Sequence, residues 1–274
     1  MPIPVAIQGV PRSGTSWLGQ IFNSSPDVAY RYQPLFSYAF KNRLAENSCR
    51  RDIDRFLVDL LATDDEFILQ TGSKALSSKE LRFQKAALPN YLVFKEVRYH
   101  NLLPMLMAEH VGIQLVAIVR DPREVLQSWR AAPREFRPEW SFAEEWKRAA
   151  SKNRGRAEEF FGFEGWLRAT LIFQRLQAEY PGRVRILKYH ALKAQPQQQV
   201  QEMFLSLQLP MSDQTRQFLK KSTTTGSNAD TYGVFRNHSK QNVRDALPYE
   251  ITSSVIAECE ECGLSRYLDP DFSD

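Results

Sequence analysis

The stretch that most constrains this chain lies at its start. An apolar, β-branched run from Ile3 to Ile7 is closed by Gly9 and followed by Val10-Pro11-Arg12-Ser13-Gly14-Thr15-Ser16-Trp17. Such a run reads as a buried strand. Thr15–Asn23 then carries Trp17, Leu18, Ile21 and Phe22 at helical spacing until Pro26 ends the pattern. A strand, a glycine-bearing turn and a helix start aim several backbone N–H groups at one spot, where the helix dipole favours an anion. Thr15 and Ser16 add hydroxyl donors there. Without a ligand the same residues would make a tight strand-to-helix turn, but an arginine inside the turn favours anion binding. The Gly9-x4-Gly14 spacing is that of a nucleotide P-loop, yet Thr15 stands where a P-loop NTPase has the lysine that reaches the terminal phosphates. The positive charge has moved into the loop, to Arg12.

The rest of the chain alternates strand-like and helical segments. Val28–Arg31, Tyr91–Val97, Ile113–Val119 and Val184–Tyr189 read as strands, and Asp52–Leu61, Leu102–Glu109, Ser141–Ala150 and Glu164–Tyr180 as helices. Pro196–Glu260 is helical or irregular, with a polar interruption at Ser222–Asp230. This alternation predicts an α/β fold with a central parallel sheet flanked by helices on both faces. No repeat or low-complexity linker divides the chain, so residues 1–274 are expected to form a single domain. A net charge of +4 is too small to demand a nucleic-acid partner, and 43% hydrophobic content excludes a disordered chain. No run of about 18 apolar residues predicts a membrane span. No basic segment precedes an apolar core at the N-terminus, so the expected setting is cytoplasmic. Of the three cysteines, Cys259 and Cys262 have the C-x-x-C spacing but lack a second ligand pair for zinc, so they are expected to be buried on one helix face rather than redox-active.

A second segment repeats the logic of the first. Strand Ile113–Val119 runs into Arg120-Asp121-Pro122, where Pro122 can open a helix, and Ser128 follows about two turns on. Asp121 reads better as an N-cap than as a magnesium ligand. Two anion sites at the carboxyl ends of parallel strands suit a nucleoside with phosphates at both ends. Here the sequence resembles the sulfotransferases that use 3′-phosphoadenosine 5′-phosphosulfate (PAPS). Pro11–Trp17 is similar to their first motif, and Arg120, Asp121, Pro122 and Ser128 to their second. The resemblance implies that Arg12, Ser13, Gly14, Thr15 and Ser16 bind the 5′-phosphosulfate and that Arg120 and Ser128 bind the 3′-phosphate. Trp17 would lie against the adenine, and Arg236 would join the cofactor set from a C-terminal loop. Phe22–Phe36 resembles the stretch after the first motif in Golgi carbohydrate sulfotransferases, with tyrosylprotein sulfotransferases next in likeness. Looser cues are Lys95-Glu96-Val97-Arg98, Leu187-Lys188-Tyr189 and Arg236-Asn237. Those relatives carry an N-terminal membrane anchor and no such apolar run is seen in this sequence, so a cytoplasmic, microbial relative is expected rather than a secretory-pathway enzyme.

The implied reaction moves a sulfuryl group from PAPS to a hydroxyl or amine and releases PAP, with no metal expected. Arg12 and the loop N–H groups would stabilise charge on the leaving phosphate. The departure is Gln33, which stands where the resembling enzymes have a glutamate. A neutral amide can hold an acceptor but cannot take its proton. Glu96 and His100 are candidate replacements, since Glu96, Arg98 and His100 share strand parity if that strand continues. Their other readings are an ion pair for Glu96, with Lys95 or Arg98, and a helix start for His100. His190 is a weaker candidate. Tyr30, Tyr32, Phe36, Tyr38 and Phe40 either line the acceptor cleft or pack in the core. The aromatic and basic residues between Arg137 and Trp166 are a cap, a basic face or a solvated helix pair. A small molecule, sugar or peptide is the expected acceptor. The rival readings are a noncatalytic PAP-binding protein and a P-loop kinase or NTPase.

Overall fold

β-branched and aromatic runs form five strands, all parallel, in a computed structural model that describes residues 1–72, 82–224 and 247–269. Arg236, Asn237, His238 and most of the interruption at Ser222–Asp230 lie outside the described residues. In chain order the first elements are β1 (Ile3–Gln8), α1 (Thr15–Asn23), β2 (Val28–Tyr32), α2 (Arg50–Ala62) and the single turn α3 (Glu66–Leu69). Then come β3 (Tyr91–Glu96), α4 (Leu103–Glu109), β4 (Gln114–Val119), α5 (Pro122–Arg130) and the short turns α6 (Phe142–Glu145) and α7 (Ala150–Asn153). The last are α8 (Gly162–Glu179), β5 (Val184–Lys188), α9 (Tyr189–Ala194), α10 (Pro196–Ser206), α11 (Asp213–Thr224) and α12 (Tyr249–Glu261).

The sheet order is β2-β3-β1-β4-β5. The period-two alternation of each strand divides its side chains between two cores. On one face Val5, Ile7, Val93, Val116 and Ile118 pack under α1, α10 and α11 through Leu18, Phe22, Phe204 and Phe218. On the other Ala6, Phe94, Leu115 and Ala117 meet α2, α5, α8 and α12 through Phe56, Trp129, Trp166 and Val255. Because every strand runs the same way, Gln8, Tyr32, Glu96, Val119 and Lys188 all end at one edge. β1 lies between β3 and β4, so connections leave it to both sides, the arrangement that opens a crevice above the strand ends.

Three expectations are corrected. Ser141–Ala150 is not one helix: the carbonyls of Trp146 and Lys147 accept from the N–H groups of Phe163 and Glu164, and Ala149 takes φ 49°. Those cross-contacts take acceptors that a continuing helix would use. The third strand stops at Glu96, Tyr99 adopts φ 62° and His100 begins a 3₁₀ turn, so strand parity does not carry Glu96, Arg98 and His100 to one face. Cys259 is buried but Cys262 is exposed, because it caps α12 where the chain turns away. Among the described residues no helix is long and apolar enough to cross a membrane.

Candidate active site

The two loops expected to hold anions leave neighbouring strands. β1 pairs with β4 from Val5 beside Gln114 to Gln8 beside Ala117, which brings both strand ends together. The first loop is tightly built. A Cβ on Gly9 would come within 2.7 Å of the Ile118 carbonyl, so only glycine lets the chain cross over β4. Gly14 takes φ 91° against the Tyr189 ring, and Arg12 itself takes φ 73°, a conformation that costs energy for a residue with a side chain. That strain turns the guanidinium across the site. Arg12 Nε donates to Ser128 Oγ at 3.1 Å, and Arg120 Nη1 donates to the Arg12 carbonyl at 3.1 Å. Thus the first motif and the second, 116 residues apart, meet directly.

Arg120 is fixed from three sides. Its Nε donates to Glu124 at 2.8 Å, its guanidinium lies 4.6 Å from the Tyr189 ring centre, and its carbonyl accepts from the Trp166 indole at 2.9 Å. Burial works against its charge, but Glu124, Tyr189 and Asp121 together outweigh it, and its pKa stands above the ordinary range. Asp121 caps α5 by accepting from the Arg123 N–H at 2.8 Å, the role expected for it. Trp17 donates through its indole to Ser222 Oγ at 3.0 Å and turns its edge to Tyr189.

The residues present fit a phosphorylated nucleotide. Helix α1 begins at Gly14 with no side-chain cap, leaving first-turn N–H groups for an outside acceptor. The Ser13 hydroxyl is buried beside them without a hydrogen-bond partner, which is costly unless a ligand supplies one. Arg12, Arg120 and Ser128 add charge and donors at the second loop, and Thr15 and Ser16 begin the helix. Among the described residues no cluster of three or more His, Cys, Asp or Glu side chains is placed to hold a metal ion.

Gln33 lies where β2 ends. It takes φ 42°, its N–H donates to the Lys95 carbonyl at 2.8 Å, and its side-chain oxygen accepts from Arg98 at a long 3.4 Å. Tyr32 shares a side-chain hydrogen bond with Gln33, and its ring centre is 4.4 Å from Lys95 Nζ. Lys95 is only 1% exposed, and burial pushes its ammonium down to about 7, with Glu96 opposing the shift and Arg98 adding to it. Arg98 also pairs with Glu159 at 2.8 Å and lies over the half-exposed Phe36 ring.

Glu96 and His100 sit deeper. Glu96 is fully buried and accepts from the Leu35 N–H at 2.7 Å, supporting the turn that carries Gln33; burial pushes its carboxyl up to about 8. His100 is fully buried beside Phe160 and Phe173, its Nδ1 2.9 Å from Gln8 Oε1, and burial pushes it down to about 3. The aromatic run after β2 divides: Tyr30 and Phe40 are core, Tyr38 is fully exposed, and Tyr32 and Phe36 face the charged cluster. Phe161 from the later aromatic region lies under Lys152, 4.8 Å away, and near Arg98.

The sequence named Lys95, Arg98 and Tyr189 only within looser cues of the resemblance and gave none of them a role in the chemistry. A lysine ending an otherwise apolar strand was a usable signal for Lys95. Arg98, just past the end of β3, and Tyr189, at the start of α9, reach the cluster only once the strands are packed.

Comparison with known proteins bears on this arrangement. A profile of the sulfotransferase family matches residues 4–213. Carbohydrate sulfotransferase 3 of Mus musculus is 22% identical over 315 residues, covering 93% of this chain; the chain spans 66% of that relative's length. Mouse sulfotransferase SULT7A1, solved complexed with PAP, superposes with a TM-score of 0.55 at 13% identity, covering 96% of this chain and 86% of that one. A sulfotransferase domain from the curacin biosynthetic pathway gives 0.54 at 15% identity, covering 96% and 98%. At these identities the structural likeness is one of fold.

Proposed function

The chain belongs to the sulfotransferase family, and from that premise we propose that it transfers a sulfuryl group from PAPS to a hydroxyl or amine of a sugar or other small acceptor. The observation that carries this reading is the contact between the two anion loops: Arg12 bonds Ser128, and Arg120 bonds the Arg12 backbone. One continuous basic site therefore joins the ends of β1 and β4, with donors for more than one phosphate. When bound, PAPS supplies the sulfuryl group and leaves as PAP.

Each residue then has a task. The N–H groups at the start of α1, with Ser13, Thr15 and Ser16, hold the 5′ end, and Arg12 stabilises negative charge growing on the leaving phosphate. Arg120 and Ser128 hold the 3′-phosphate, and Trp17 offers an aromatic face beside them. Lys95, near the end of the adjoining strand, changes charge near neutral pH and is suited to follow that same charge. Gln33 and Arg98 orient the acceptor. Glu96 and His100 support the walls, because one carries the Leu35 backbone and the other fills the core.

Incubation with radiolabelled PAPS and a mixed panel of sugars, phenols and amines tests the reading. Sulfate incorporated into at least one acceptor, with PAP released in equal amount, is the expected result. PAP binding with no incorporation or PAP release would replace transfer by a noncatalytic binding role.

A further inference from the structure

Gln33 leaves the reaction without an evident proton acceptor, and a different element supplies a carboxylate. Glu135 lies in the turn after α5, where its N–H donates to the Ala132 carbonyl at 2.8 Å and its carbonyl accepts from the Trp129 indole at 3.2 Å. Trp129 is 1% exposed, so this turn is anchored in the core. The carboxylate points back to the site: Glu135 Oε2 stands 3.8 Å from Arg12 Nη1. That oxygen is buried and accepts no hydrogen bond. Its charge also acts on Lys95, on Tyr32 beside Gln33, and on Lys152 above Phe161.

Among the described residues, two other carboxylates near this cleft are held more tightly than the 3.8 Å pair of Glu135 with Arg12. Glu159 is held by Arg98 at 2.8 Å and Arg156 at 3.2 Å, and Glu124 by Arg120. Glu96 also has a buried oxygen without a partner, but burial raises it to about 8, so it keeps its proton at pH 7. A buried oxygen left unbonded on an ionisable group, facing the charged residues of a transfer site, is where a ligand's proton can be received.

We propose that Glu135 is the catalytic base, accepting the acceptor's proton in the place that Gln33 cannot fill. The proposal rests on the transfer reading above. The acceptor oxygen forms a bond to sulfur, the bond from sulfur to the bridging phosphate oxygen breaks, and that electron pair leaves on the 5′-phosphate of PAP. The acceptor's proton passes to the Glu135 carboxylate and then to solvent.

The test compares the parent chain with Glu135→Gln and Glu135→Asp. Two acceptors are used: N-acetylglucosamine, or water where the parent shows no sugar turnover, and 4-nitrophenol, which is largely ionised at pH 8 and needs no base. PAP affinity is measured first, by calorimetry. Removing a general base costs on the order of 100-fold or more. We expect Glu135→Gln to lose about that much kcat on the alcohol and less than about fivefold on 4-nitrophenol, with PAP affinity within about twofold. Glu135→Asp, which keeps a carboxylate, should retain more alcohol transfer than Glu135→Gln. Equal losses on both acceptors, no loss on the alcohol, or a weakening of PAP binding by about tenfold or more would overturn the assignment. A parent chain that neither binds PAP nor releases it from PAPS overturns the transfer reading itself, before any variant is compared.

Discussion

Arg12 ties its own loop to the loop after β4 twice: its side chain meets Ser128, and its carbonyl is held by Arg120. Replacing it with alanine should remove the charge that follows the leaving phosphate while leaving the core intact. Loss of one such stabilising group costs on the order of 100- to 1,000-fold in kcat. A sulfate-transfer assay with a melting curve checks this; equal rates in Arg12→Ala and parent would remove Arg12 from the mechanism. Gln33 makes the opposite prediction. Gln33→Glu places a carboxylate beside Arg98, which already reaches that side chain at 3.4 Å. Turnover should be preserved or raised, because a carboxylate can still accept a hydrogen bond from the acceptor; a large loss with unchanged PAP affinity would mean that the acceptor needs the N–H donor of the amide. At this scale the sequence was informative where residues act consecutively. Arg12 to Trp17 form one loop, and the Arg120–Ser128 spacing is set by one helix. Glu135 could not be found that way, because its relation to Arg12 exists only after α5 and its following turn are packed.

The elements explain which sequence patterns survived folding. The strand ending at Glu96 was legible from its apolar run, but its polar end was not: Lys95 and Glu96 are both buried, on opposite faces. The consequence is a pH-dependent stability. Glu96 is raised from 4.5 to about 8 in the folded chain. Its contribution is therefore complete below pH 4.5 and is lost as pH rises through about 8, because only the unfolded chain ionises early in that window. Lys95, lowered from 10.5 to about 7, acts in the other direction above pH 7. Glu96→Gln mimics the protonated form and keeps Lys95. Its melting temperature should rise relative to the parent between pH 5 and pH 8; a constant difference across that range would contradict the burial account. The helix expected over Ser141–Ala150 failed for a different reason. Local periodicity was present, but the start of α8 takes the Trp146 and Lys147 carbonyls, a tertiary choice that no local window contains.

For the whole molecule, alternation of strands and helices was enough to predict a parallel sheet covered on both faces. The strand order was not written in that alternation, and it is the order that makes the site. With β1 between β3 and β4, the phosphate loop, the Arg120 loop and the Lys95–Gln33 pair converge on one edge. The central claim is that this edge binds a nucleotide by phosphates at both ends. Titration calorimetry without magnesium, with PAP, AMP and ATP against the parent and Ser128→Ala, tests it most directly. A charge-assisted hydrogen bond is worth about 1.5–3 kcal/mol, and about 1.4 kcal/mol is tenfold. PAP should therefore bind the parent about 10- to 100-fold more tightly than AMP, with ATP far weaker than PAP, and Ser128→Ala should narrow the gap between PAP and AMP. Equal affinity for PAP and AMP, or a preference for ATP, would contradict the account.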